Sequence, residues 1–269
     1  MAFEPLLKKL WKQYIQEIPA AKQIHQLFEA RDEKVGYLDH DHIALRTFDD
    51  PRVNIEVIIK PFVDAGYTPS MTYDFPSKHL FARHYEPPYK GAPKVFISEL
   101  LTKKFSSEFQ TIIKQTIDNI PNDLLADTTT IFARKTPWDK LVFSVYKQLF
   151  NESQYGAWVY AYGFRANHFA IAVNSLKTFE SCAQINAFLK KEGYLMNQEN
   201  GEVKGSPEAL LEQSSIMAEQ ASVHFSDGPH KIPSCYYEFT QRFAQADREL
   251  YPGFIAASAD KLFESTDIK

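Results

Sequence analysis

Apolar residues along the chain follow two periodicities, and the changes between them predict its elements. Leu6, Leu7, Leu10, Trp11, Tyr14, Ile15 and Ile18 recur at three- and four-residue spacing, the stripe of an amphipathic helix. A second helix after Pro19 carries Ile24, Leu27 and Phe28. The stripe reads as a packing face, with a partner-binding helix as its rival. HDHIALRTF (40–48) then alternates as a strand, with Ile43, Leu45 and Thr47 on one face and His42, Ala44 and Arg46 on the other. A helix is expected over about 52–65, closing at Gly66-Tyr67, where glycine suits a left-handed stop. KHLFARHYE (78–86) and KVFISEL (94–100) read as further strands around the turn-rich EPPYKGAP.

The pattern then recurs. NHFAIAVN (167–174) alternates with His168, Ala170 and Ala172 on one face and Phe169, Ile171 and Val173 on the other. A helix over about 176–191 closes at Gly193-Tyr194, so a histidine-bearing strand, a helix and a Gly-Tyr stop occur twice. The spacing from His42 to Gly66 is 24 residues and that from His168 to Gly193 is 25. FISEL (96–100) and YYEFTQR (236–242) end the copies as closing strands. Such self-similarity implies two related modules packed together. The expected fold is α+β: duplicated βαβββ modules in one compact domain over 1–269. Its parts are a helical N-terminal segment (1–35), module 1 (36–102), a mainly helical insertion (103–160) and module 2 with a C-terminal segment (161–269). FSSEFQTIIKQTIDNI is the clearest amphipathic stretch of the insertion.

Composition narrows the function. The 269 residues are 44% hydrophobic and 24% charged, as in an ordinary soluble protein, and long enough to bury about 75% of the unfolded surface. Thirty basic against 34 acidic residues give a net charge of -4 without blocks, which argues against nucleic acid or an anionic membrane as partner. No apolar run approaches the ~20 residues of a membrane span, and MAFEPLLKKLWKQY is too charged for a signal peptide. Two cysteines, Cys182 and Cys235, make no disulfide framework, so a cytoplasmic location is expected. Glycine is scarce, and neither the nucleotide-binding glycine motifs nor the G-x-S-x-G elbow occurs.

The duplication singles out candidate chemistry. His42 and His168 hold equivalent places in equivalent strands, and Glu238 and Glu99 are read as equivalent in the closing strands. Two imidazoles and one carboxylate suit a first-row divalent metal with positions left open for ligands. A closed structural zinc site would want a fourth ligand and cysteine. Pattern alone leaves Glu238 and Glu99 open. Arg46 shares the face of His42 four residues on, with Cα atoms about 13 Å apart. It reads either as a bidentate clamp for a carboxylate or as an internal salt bridge with Glu99. Among the other histidines, His40 shares the parity of His42 and reads as supporting or surface, and His79 and His84 fall on opposite strand faces. His224 and His230 flank the turn-like FSDGP. Cys235 lacks an accompanying base and reads as buried and inert.

Several segments together carry a family resemblance: DHIALRTF, FPSKHLFARHYE, VFISEL, SQYGAWVYAYGFRANHFAIAVN, KGSPEALLEQSS and YYEFTQR. From about residue 35 to the C-terminus the chain resembles the 2-oxoadipate dioxygenase/decarboxylase family, whose fold is of the vicinal-oxygen-chelate type. The resemblance implies Fe(II) held by His42, His168 and Glu238, deciding for Glu238 over Glu99, with Arg46 as the substrate-selecting residue; zinc or nickel is the other metal a purified sample would carry. It implies 2-oxoadipate and O2 as substrates, with 2-hydroxyglutarate and CO2 as products, as in lysine degradation. The family's late substrate contact falls near Ala257-Ser258, where the side chain is smaller than expected, which bears on substrate size. The rivals are an oxygen-independent metal-dependent lyase, isomerase or hydrolase, and a non-catalytic binding module.

Overall fold

A computed structural model describes residues 4–33, 35–36, 39–132 and 136–266. The two N-terminal stripes form α1 (Glu4–Glu17) and α2 (Pro19–Glu29), with a proline pre-setting the first turn of α2. The first module follows as β1 (His40–Phe48), α3 (Ile55–Ile58), α4 (Lys60–Asp64), β2 (Thr68–Phe75), β3 (Leu80–Glu86) and β4 (Lys94–Leu100). The single helix expected over 52–65 is therefore two. Asn54 caps α3 through its side chain, and Pro61 has no N–H to extend the α3 ladder, so the chain restarts as α4.

The insertion is helical, as its pattern predicts: α5 (Ser107–Asp118), α6 (Asn122–Ala126), α7 (Thr128–Ile131), α8 (Phe143–Glu152) and α9 (Gln154–Tyr162). Every residue of α9 from Tyr155 to Tyr162 is buried, the mark of a helix enclosed on all sides. The second module comprises β5 (Ala166–Ala172), α10 (Cys182–Lys191), β6 (Lys204–Ser206), β7 (Leu211–Ser215), a hairpin of β8 (Gln220–Phe225) and β9 (Gly228–Pro233), and β10 (Glu238–Arg242). Helix α11 (Ala256–Leu262) and a short 3-10 helix (Phe263–Thr266) follow. The helix expected from about 176 starts at Cys182 instead, where the Ser181 side chain accepts from the Gln184 N–H.

Eight strands form one sheet in the order β2-β3-β4-β1-β5-β10-β7-β6. β1 and β5 run antiparallel at its centre, β4 lies parallel to β1, and β10 lies parallel to β5. Ile43 faces Phe169 across the central pair, and a pseudo-twofold through that pair carries His42 onto His168. The two βαβββ modules thus join edge to edge into a curled, partly closed half-barrel. Phe169, Tyr237 and Phe239 project to the face covered by α1 and α2, where they meet Trp11, Tyr14 and Phe28. The other face holds His42, Arg46, His168 and Glu238. α9 packs against β1, and α11 touches β2 at one sheet edge and β6 and β7 at the other, bridging the open side. Among the described residues no helix is long and apolar enough to cross a membrane, and both cysteines are buried and free.

Candidate metal centre

Strand alternation and the central pairing bring three donors to one point. His42 comes from β1, His168 from β5 and Glu238 from the first position of β10, where it pairs with Ala170. All three are buried, and one donor atom from each lies within 4.8 Å of the other two. The two Nε2 atoms are 3.4 Å apart. His42 Nε2 lies 3.5 Å from Glu238 Oε1, and His168 Nε2 lies 3.2 Å from Oε2.

The surroundings set the protonation. His42 Nδ1 donates to Asp41 Oδ1 at 2.8 Å, and His168 Nδ1 donates to Asn167 Oδ1 at 3.0 Å. With each ring proton on Nδ1, both Nε2 atoms turn lone pairs toward the carboxylate. Glu238 Oε1 already accepts from Gln213 Nε2 at 2.6 Å and Thr240 Oγ1 at 3.0 Å. Burial pushes the Glu238 carboxyl up, and burial, with the neighbouring His42 ring and the cationic Arg46, pushes His168 well down. Two lone pairs and a carboxylate converging with no proton among them form a donor set that a divalent cation satisfies. Asp41 is fixed from behind by two hydrogen bonds from Arg242, at 2.6 and 2.9 Å. Burial pushes its carboxyl up, but Arg242 and His42 outweigh that and hold it well below the usual carboxylate range. A carboxylate, or an amide oxygen, behind each ring fixes its tautomer and orientation.

Arg46 lies on the same face and is 2% exposed. Its guanidinium sits among the rings of Tyr155, Trp158 and Phe263, at 4.9, 5.0 and 5.5 Å from their centroids. Among the described residues no carboxylate pairs with it, and its Nε is buried without a hydrogen-bond partner. Arg46 and the three donors line a single cavity of about 30 Å³, together with apolar groups that include Phe96, Phe254 and Leu262.

Several expectations need correcting. Glu99 is not the counterpart of Glu238: Glu238 pairs with the residue two beyond His168, and the residue pairing two beyond His42 is Phe96. Glu99 neighbours Thr47 on the other face and accepts from the Ile55 N–H at 3.0 Å, so it makes no salt bridge with Arg46. His40 does not share the face of His42. A register shift between them turns it to the helix-covered side, where its Nε2 meets the Tyr237 hydroxyl at 2.9 Å and its ring meets Trp11. His79 precedes β3 in a left-handed conformation, and His84 is buried between Tyr73 and Glu86. Ala257 is exposed and Ser258 faces Gly205; α11 turns Ala259 and Leu262, followed by Phe263, to the cavity. Sequence reasoning missed Asp41, Asn167, Gln213, Thr240 and Phe254. For the first two a signal existed, a polar residue directly before each histidine in both copies.

The chain resembles known proteins over nearly its whole length. The profile of the 2-oxoadipate dioxygenase/decarboxylase family matches residues 6–252. The chloroplastic 2-oxoadipate dioxygenase/decarboxylase of Arabidopsis thaliana is 33% identical over 98% of this chain and 77% of its own length. The crystal structure of a hydroxyglutarate synthase from Oryza sativa in complex with 2-oxoadipate superposes with a TM-score of 0.89 at 31% identity, over 98% of this chain and 91% of that one. A presumed hydrolase from Shewanella frigidimarina is 44% identical with a TM-score of 0.86, over 94% and 97%. On the family match, the identity and the coverage, the chain belongs to the 2-oxoadipate dioxygenase/decarboxylase family.

Proposed function

We propose that this chain is an Fe(II)-dependent dioxygenase and decarboxylase of a 2-oxo diacid, converting 2-oxoadipate and O2 to 2-hydroxyglutarate and CO2. The observation that carries the reading is Arg46, a buried guanidinium with no carboxylate partner among the described residues, in the same cavity wall as three convergent metal donors. The three donors would meet a chelating 2-oxo acid, and the guanidinium would meet a second carboxylate at the molecule's other end. Support comes from the plant relatives, one named for this activity and one crystallised with 2-oxoadipate.

His42, His168 and Glu238 would hold the metal. Bound there, Fe(II) supplies positions for the 2-oxo acid and for dioxygen, and the electrons that activate it. The chain's own groups do the rest. Asp41 and Asn167 keep both rings in the tautomer that offers Nε2, and Gln213 and Thr240 hold the Glu238 carboxylate in place. Arg46 binds the distal carboxylate and fixes the direction of the carbon chain, so that the carbon to be hydroxylated is held at one place. Phe96, Phe254 and Leu262 keep bulk water from the reacting end. Overall, C1 leaves as CO2, one oxygen atom enters the carboxylate formed at the former keto carbon, and the other becomes the new hydroxyl.

Fe(II)-reconstituted protein given 2-oxoadipate should consume O2 and release CO2 in equal amounts. Turnover without oxygen would point to a lyase or isomerase, and stoichiometric capture without product to a binding module; either would overturn the proposal.

A further inference from the structure

The inner cavity, at about 30 Å³, has room for one or two water molecules and none for a diacid. Beside it lies a chamber of about 420 Å³, and the two share Arg46 and Phe263 in their walls. The mouth of the chamber is formed by exposed residues, among them Ser77, Lys104 and Ser106, while Arg46 forms its buried floor. Its lining carries Lys78 and Lys104 as well as Arg46, against one carboxylate, Glu152. That carboxylate is already engaged by the backbone N–H and hydroxyl of Ser106. Lys104 has no carboxylate partner among the described residues. Lys78 is held loosely, 3.7 Å from Asp260 and 3.4 Å from Glu264 on the C-terminal segment that also carries Phe263.

We infer that this chamber is an anion-collecting antechamber: Lys78 and Lys104 capture a dicarboxylate by its distal carboxylate and pass it to Arg46, with Phe263 as the movable partition between chamber and metal cavity. Two lysines and a desolvated guanidinium in the wall of one chamber raise the local concentration of a dianion more than that of a monoanion. The carboxylate arriving at Lys78 also competes with Asp260 and Glu264. The ligand itself thereby loosens the segment that carries the partition. The inference rests on the substrate class proposed above.

The test is stopped-flow binding to the metal-loaded protein without oxygen, followed by tryptophan fluorescence, because Trp158 lies against Arg46. The ligands are 2-oxoadipate and 2-oxohexanoate, which carries a methyl group in place of the distal carboxylate. In a Lys78→Gln/Lys104→Gln variant the association rate of 2-oxoadipate should fall about tenfold at low salt, with the difference fading as ionic strength rises. Association of 2-oxohexanoate should fall far less, and Lys78→Arg/Lys104→Arg should restore the diacid rate. Phe263→Ala should speed both association and dissociation of both acids. An equal loss for both acids would show that Lys78 merely ties down the C-terminal segment and would overturn the inference, as would an unaltered diacid rate. Wild-type protein that binds 2-oxoadipate but consumes no oxygen would sink the proposed reaction while leaving the antechamber standing.

Discussion

Replacing Arg46 with methionine separates function from stability, because among the described residues no carboxylate pairs with its guanidinium. Removing one partner of a buried, charge-assisted pair costs about 2–5 kcal/mol of ligand binding. For a diacid clamped at Arg46, that is a fall in kcat/KM of about 30- to 4,000-fold. Folding should respond the other way. The charge is 2% exposed and held by ring contacts of about 0.5–2 kcal/mol, against a desolvation penalty of several kcal/mol per buried ion. Methionine fills much of the same volume without that penalty, so Arg46→Met should be as stable as the parent or more so. A gain of about 1 kcal/mol would raise Tm by about 2–4 °C. The assays are thermal unfolding of the metal-loaded protein and initial rates of O2 uptake with 2-oxoadipate and 2-oxohexanoate. The parent should prefer the diacid strongly and the variant should lose that preference. A variant that unfolds several degrees earlier and still prefers the diacid would show Arg46 to be structural and would refute the reasoning.

Three further outcomes are expected. His42→Ala, His168→Ala and Glu238→Ala should each abolish tight Fe(II) binding in equilibrium dialysis, and a variant with full stoichiometry would remove that residue from the donor set. Asp41→Asn should lower metal affinity about 10- to 100-fold with secondary structure preserved, since it weakens the group fixing His42; an unchanged affinity would deny Asp41 that role. Acidification should destabilise the metal-free protein between pH 6.5 and 4. Burial lowers His25 to about 4, so the unfolded chain binds a proton through that window that the folded chain refuses, and stability falls with pH by up to about 3 kcal/mol. Urea denaturation across this range should show the slope, and His25→Gln should reduce it, leaving the part due to His168 and His84, which burial also lowers.

Much of this protein follows from local order in the chain. The strand-like runs at 40–48 and 94–100 place those strands to the residue, because strands buried on both faces are dense in β-branched and aromatic side chains. The repeated strand, helix and Gly-Tyr stop already implies a duplicated sheet. Two histidines at matching places in the copies imply a shared site, since a twofold relation brings equivalent positions together. β2 was not legible, because TPSMTYDF is mostly exposed and has no apolar alternation to mark it. β8 and β9 were missed for the same reason, with alternation shared among polar residues.

What tertiary structure alone decided was register and partnership. Reading the two closing strands as copies makes Glu99 the twin of Glu238, whereas backbone pairing puts Phe96 there and turns Glu99 to the opposite face. One register shift between His40 and His42 sends two histidines of the same parity to opposite sides of the sheet. Arg46 could have met Glu99 or nothing, and only the curl of the sheet under α9 and the C-terminal segment leaves it among rings without an anion. Periodicity is a property of neighbouring residues and survives in the bare sequence. Which strand lies beside which, and how far each has slid, depends on contacts between residues more than a hundred positions apart, such as His42 with His168, that no local pattern contains.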